Sequence, residues 1–181
     1  MSPQEAADTY ARRNTSNGNP DFERRALLIQ SLDLSKIINK VKEKQGWTDE
    51  QATDAECKYR QYLYMGLKYE GVSLVPSKDI DEVWHAHILD TKKYMVDCQA
   101  IFGRFIHHVP NYGVHSTGEN NVAQIFNALW QLEFGVLLFG VVGGYESEEN
   151  QVNGVDVSSG NFKAECLSQC SDCRTDCVGT Q

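Results

Sequence analysis

Four of the five histidines, His85, His87, His107 and His108, fall within 24 residues, with Asp81, Asp90, Asp97 and Cys98 among or beside them. Imidazole and thiolate are the donors that zinc and other transition ions prefer, so this segment holds a ligand inventory. Helix geometry restricts it. His85 and His87 are two residues apart and face about 200° away from each other on a helix, so one ion cannot take both. Asp81 and His85 are four apart and share a face, the arrangement in which a carboxylate orients an imidazole. Folding the following helix back would bring Cys98 towards His85, and His107 or His108 could return past Gly103.

The metal reading therefore takes His85, Cys98, His107 and His108 as candidate ligands, with Asp81, His87 and Asp97 as supporting groups. Two alternatives stay open. The same residues could be buried polar groups satisfied by hydrogen bonds within a helical hairpin. They could also form a His-Asp-Cys arrangement, with Cys98 as nucleophile and His85 as its base. A metal-dependent enzyme built on His85, Cys98 and His108 would need an open coordination position, a bound water and a base such as Asp81 or Asp90.

The run Val83-Trp84-His85-Ala86-His87-Ile88-Leu89, with Tyr94, Asp97-Cys98 and Phe102-Gly103-Arg104 after it, resembles the core motif of the glycine-rich domain-containing protein family. Trp84, His85, His87, Tyr94, Asp97, Cys98, Phe102 and Gly103 carry the resemblance, which covers roughly residues 25 to 135, including an upstream helix with Arg60, Tyr62 and Leu63. It implies a helical domain with signalling or regulatory associations in larger relatives, and supplies no reaction. This sequence lacks a long glycine-rich region and carries a cysteine cluster instead.

That cluster is Cys166-x3-Cys170-x2-Cys173-x3-Cys177. On a helix the four thiols would line one stripe within about 60° of arc. One straight helix cannot wrap a tetrahedral ion with all four, so metal binding needs a bend or a second copy. Metal binding, disulfide or redox exchange, modification as in a ribosomal peptide precursor, and a tail with no special chemistry are the alternatives. The first three cysteines also fit the iron–sulfur spacing of radical S-adenosylmethionine enzymes, but too little chain follows for the barrel such a cluster serves.

The elements that must position these residues read as helices. Residues 1–20 read as a flexible arm, ending in the turn-rich Asn14 to Pro20. A helical pattern runs from Asp21 to Lys44, with Leu27, Leu28, Leu32, Leu34, Ile37, Ile38 and Val41 on its apolar face, a restart at Asp33 or Ser35, and Gly46 as terminator. Thr48 and Gln51 form a capping box for the next helix, whose stripe is Ala52, Ala55, Tyr59, Tyr62, Leu63 and Leu67. Ser77 or Asp79 caps a third helix to Leu89, and Asp90 or Thr91 a fourth to Phe102. Asn120 or Asn121 caps a fifth to Phe134, with Val122, Ile125, Phe126, Leu129, Trp130 and Leu132 inward. The apolar run Phe134 to Gly144 reads as a buried strand or core segment, being far shorter than the ~20 residues of a membrane span.

The expected fold is thus mostly α, a small bundle of about five helices over residues 21–144, with an acidic linker and cysteine-bearing, flexible C-terminal tail over 145–181. The chain has 181 residues and a formal charge of −8, which disfavours nucleic acid and anionic membranes as partners. An unknown protein partner remains open. The absence of a signal-peptide pattern gives a cytoplasmic expectation. Zinc or a similar ion is the expected cofactor, if any.

Overall fold

Capping chemistry decides where the helices begin. The computed structural model describes residues 1–13, 19–108 and 117–139. Among these, seven helices form: α1 (Pro3–Arg13), α2 (Pro20–Gln30), α3 (Ser35–Gln45), α4 (Asp49–Lys68), α5 (Lys78–Leu89), α6 (Thr91–Phe102) and α7 (Thr117–Phe134). The Asn19 side chain accepts from the Asp21 amide and Pro20 opens α2. Thr48 and Gln51 cap α4 reciprocally, as their spacing predicts. Asp90 accepts from the Lys93 amide to start α6. Gly46 and Gly103 close α3 and α6 in the left-handed conformation, with φ of 67° at both.

The fold is all-α, but with seven described helices rather than five. One extra helix is α1, where a loose arm was expected. Ser2 and Glu5 exchange hydrogen bonds as a capping box, and Ala6 and Ala7 are buried as α1 packs on α7. The other comes from the restart near Asp33. Its carboxylate accepts from the Ser35 amide and hydroxyl, dividing α2 from α3. Helix α7 begins at Thr117, ahead of the expected asparagine caps.

The core is formed by Leu34, Ile37, Ile38, Val41, Tyr59, Tyr62, Met65, Ile80, Val83, Trp84, Ile101, Phe126, Leu129 and Trp130 from α3 to α7 and the residue before α3. Leu27 and Leu132, expected inward, are exposed, and Ile29 takes the inward place on α2. No strand forms among the described residues. After α7, Gly135 turns the chain at φ 74°. The Asn127 side chain then accepts from the Leu138 and Phe139 amides at 2.9 and 3.0 Å, so a buried amide satisfies backbone that a sheet would otherwise pair. The expected strand or core segment beyond Phe139, the domain limit near Gly144, the acidic linker and the cysteine tail lie outside the described residues.

Arg60 of α4 fixes the end of α2. Its guanidinium donates to the carbonyls of Ile29, Gln30 and Leu32 at 2.6 to 2.9 Å and is balanced by Glu56. These carbonyls have no partner in a helix that stops there, so the charged fork replaces a missing turn. Arg60→Met should lower stability by about 2–3 kcal/mol, as charge-assisted bonds are lost and carbonyls orphaned. A urea midpoint within error of wild type would show the cap to be dispensable.

Candidate functional site

The histidine segment divides into an inner network and an outer cluster because α5 sends alternate histidines in opposite directions. His87 is buried. Its Nδ1 lies 2.8 Å from the Tyr59 hydroxyl and its Nε2 lies 3.0 Å from the Asp97 carboxylate, which also accepts from Lys93 at 2.7 Å. A carboxylate only accepts, so Nε2 carries the hydrogen and Nδ1 accepts from Tyr59. Desolvation pushes the His87 pKa below its ordinary value, while Asp97 opposes the shift. His87 is therefore a neutral core residue with both ring nitrogens engaged.

Cys98 is buried on α6, beside the Tyr94 hydroxyl and the Ile106 backbone. Burial raises its thiol pKa, and the Asp97 charge adds to this. Such a thiol is a poor nucleophile.

Tyr94 holds the connection from α6. Its hydroxyl accepts from Trp84 Nε1 at 2.9 Å and donates to the Ile106 carbonyl at 2.7 Å. Once Gly103 has turned the chain, this bond draws residues 104–108 back over α5. His108 arrives with its ring 4.7 Å from that of Trp84 and 4.4 Å from that of His85.

The outer cluster is Asp81, His85 and His108. His85 Nδ1 lies 3.2 Å from Asp81 Oδ2 and 2.8 Å from the Asp81 carbonyl, while His108 Nε2 lies 3.1 Å from Asp81 Oδ1. One donor atom from each residue falls within 4.8 Å of the others. Among the described residues these are the histidine, cysteine and acidic side chains that converge in this way. The shared site expected from His85 and Cys98 does not form as such: Cys98 turns into the core, and Asp81 stands among the donors rather than behind them. His107, next to His108, is exposed with its ring against Phe105 at 4.9 Å. Cys166, Cys170, Cys173 and Cys177 lie outside the described residues.

Fold and site together define an all-helical protein with a His-His-Asp cluster at its surface and a separate buried His-Tyr-Asp network behind it. The chain belongs to the UCP032817-like family, whose model matches residues 24–133. It is also similar to Glycine-rich domain-containing protein 1 of Arabidopsis thaliana, with 27% identity over 99 residues, 55% of this chain. The match spans only 11% of that relative's length. No solved structure matches.

Two outcomes test this geometry. Tyr94→Phe leaves Trp84 Nε1 and the Ile106 carbonyl unpaired and should cost about 2–3 kcal/mol. In the same variant the His108 ring resonances should lose their ring-current shift from Trp84; retention of both stability and shift would show that another contact holds the return.

For His87 the sign follows from its depressed pKa. The unfolded imidazole titrates near ~6.5 and binds more protons than the folded one below that value. Its contribution to stability is thus present above the unfolded pKa and is lost as pH falls through the folded pKa. The stability gap between wild type and His87→Gln should narrow as neutral solution is acidified to about pH 5. A constant gap in thermal midpoints would refute the neutral assignment.

Proposed function

We propose that this chain is a helical module that binds a divalent transition ion, zinc or a similar metal, through Asp81, His85 and His108. The observation that carries the reading is the convergence of these three donors within 4.8 Å. Bonds of ~2.0–2.2 Å at a tetrahedral angle place ligand atoms about 3.4 Å apart. The His85 Nδ1–Asp81 Oδ2 and His108 Nε2–Asp81 Oδ1 separations of 3.2 and 3.1 Å are of that scale, each to a different oxygen of the carboxylate.

Two of the donors come from consecutive turns of α5, and the third comes from the segment that Tyr94 holds. Each of the two nitrogens that face Asp81 points at an acceptor and so carries its ring hydrogen, and seating an ion would shift that hydrogen to the other nitrogen of each ring. Both nitrogens that face Asp81 must present lone pairs to bind it, so protons compete with metal and affinity falls in acid. The buried His87 network behind α5 supplies rigidity rather than ligands.

Isothermal titration of zinc into full-length protein with Cys166, Cys170, Cys173 and Cys177 changed to serine tests the reading without competition from tail thiols. One ion per chain is expected, with a raised thermal midpoint. Asp81→Asn, His85→Ala and His108→Ala should each weaken binding by at least about tenfold, whereas Cys98→Ala should not. Undiminished binding in the three ligand variants would overturn this assignment.

A further inference from the structure

The chain has six cysteines, and the two on its helices differ in state. Cys98 is a free thiol, buried on α6. Cys57, on α4, is disulfide-bonded. With Cys98 free, the other half of that bond within the chain is one of Cys166, Cys170, Cys173 and Cys177.

The place of Cys57 on α4 suits such a link. It stands two residues from Tyr59, so its side chain leaves the helix on the side away from the His87 network. It shares a face with Arg60 and Tyr64, three and seven residues on. Tyr64 meets Phe22 in the first turn of α2, with ring centres 5.8 Å apart, and Arg60 caps the other end of α2. Cys57 comes nearer still to the start of α4, which by this register puts it past the point where α2 stops. A segment from elsewhere in the chain can meet the sulfur there without displacing that helix.

The spacing of the cluster bears on what the bond can do. Thiol–disulfide exchange proceeds by attack of a thiolate on one sulfur of the disulfide. Cys57 is buried, so attack comes from the other end of the bond. One cluster cysteine in the bond leaves three beside it in sequence, and Cys170 and Cys173 have the Cys-x2-Cys spacing of dithiol redox centres.

We infer that Cys57 and the Cys166 to Cys177 cluster form a thiol–disulfide exchange unit, which holds the C-terminal segment covalently to α4 and releases it when a second cluster thiolate attacks. In that step the attacking thiolate bonds to the cluster sulfur of the Cys57 disulfide. The bond to Cys57 breaks, and Cys57 leaves as a thiolate that takes a proton from solvent. One disulfide replaces another, so the step consumes no oxidant. The first disulfide forms from two thiols by exchange with a low-molecular-weight disulfide such as oxidised glutathione, which takes up the two electrons and leaves as two thiols. None of this depends on an ion at Asp81, His85 and His108.

The full-length protein, equilibrated with oxidised glutathione and a chelator, is alkylated in denaturant without reduction, digested and mapped by mass spectrometry. A within-chain link between the Cys57 peptide and a peptide of the cluster is expected, with Cys98 recovered as an alkylated thiol. Stepwise addition of reduced glutathione should free Cys57 first, through a species with a disulfide inside the cluster. A variant that keeps only the linked cluster cysteine, the other three changed to serine, should retain the tether and release it at least about tenfold more slowly in limiting reductant. Cys57 recovered as a thiol from the oxidised protein, or linked to Cys98 or to a second chain, would overturn the inference. A tether that opens equally fast in that variant would overturn the exchange step and leave the covalent link standing.

Discussion

The architecture around the histidines depends on one phenol. Tyr94 takes a hydrogen bond from the Trp84 indole and gives one to the Ile106 carbonyl, linking α5, α6 and the chain that follows. A buried hydroxyl can serve one donor and one acceptor at once, and here each lies on a different segment. The left-handed turn at Gly103 aims the chain backwards, and the Tyr94 bond sets how far it comes. His108 can meet His85, some 23 positions earlier in sequence, because these two constraints act together. The spaced tryptophan, tyrosine, cysteine and glycine of this segment thus read as the parts of a single chain reversal.

The helical class was legible because period and caps agree: Thr48, Asp90, Gly46 and Gly103 do in the structure what their residue types favour. Less visible was α1, whose apolar content is small. Its signal was the Ser2-to-Glu5 spacing, which carries little weight where turn-forming residues follow so closely. The outward Leu27 and Leu132 reflect a limit of periodicity, which marks a face without saying which part of it meets a neighbour.

Within the site, the two-residue spacing of His85 and His87 was decisive and correctly separated them. Asp81 and His85 shared a face as expected. What spacing could not give was the direction of the reversal after Gly103. It determines whether His107 or His108 comes home, while the way Cys98 faces is set by how α6 packs on α2 and α5. Spacing casts Asp81 as a support, because carboxylates so often orient imidazoles; only the arrival of a second ring makes it the common point of both.

The cluster draws two of its members from a single rigid helix and the third from chain beyond the next one. An ion seated among them would act as a clasp across that junction, tying α5 to the chain that returns after α6. Thermodynamic reciprocity then runs both ways. A partner that grips the downstream chain would tighten the clasp or pry it open, and the charge state of a few surface atoms would be felt at a distance along the polypeptide.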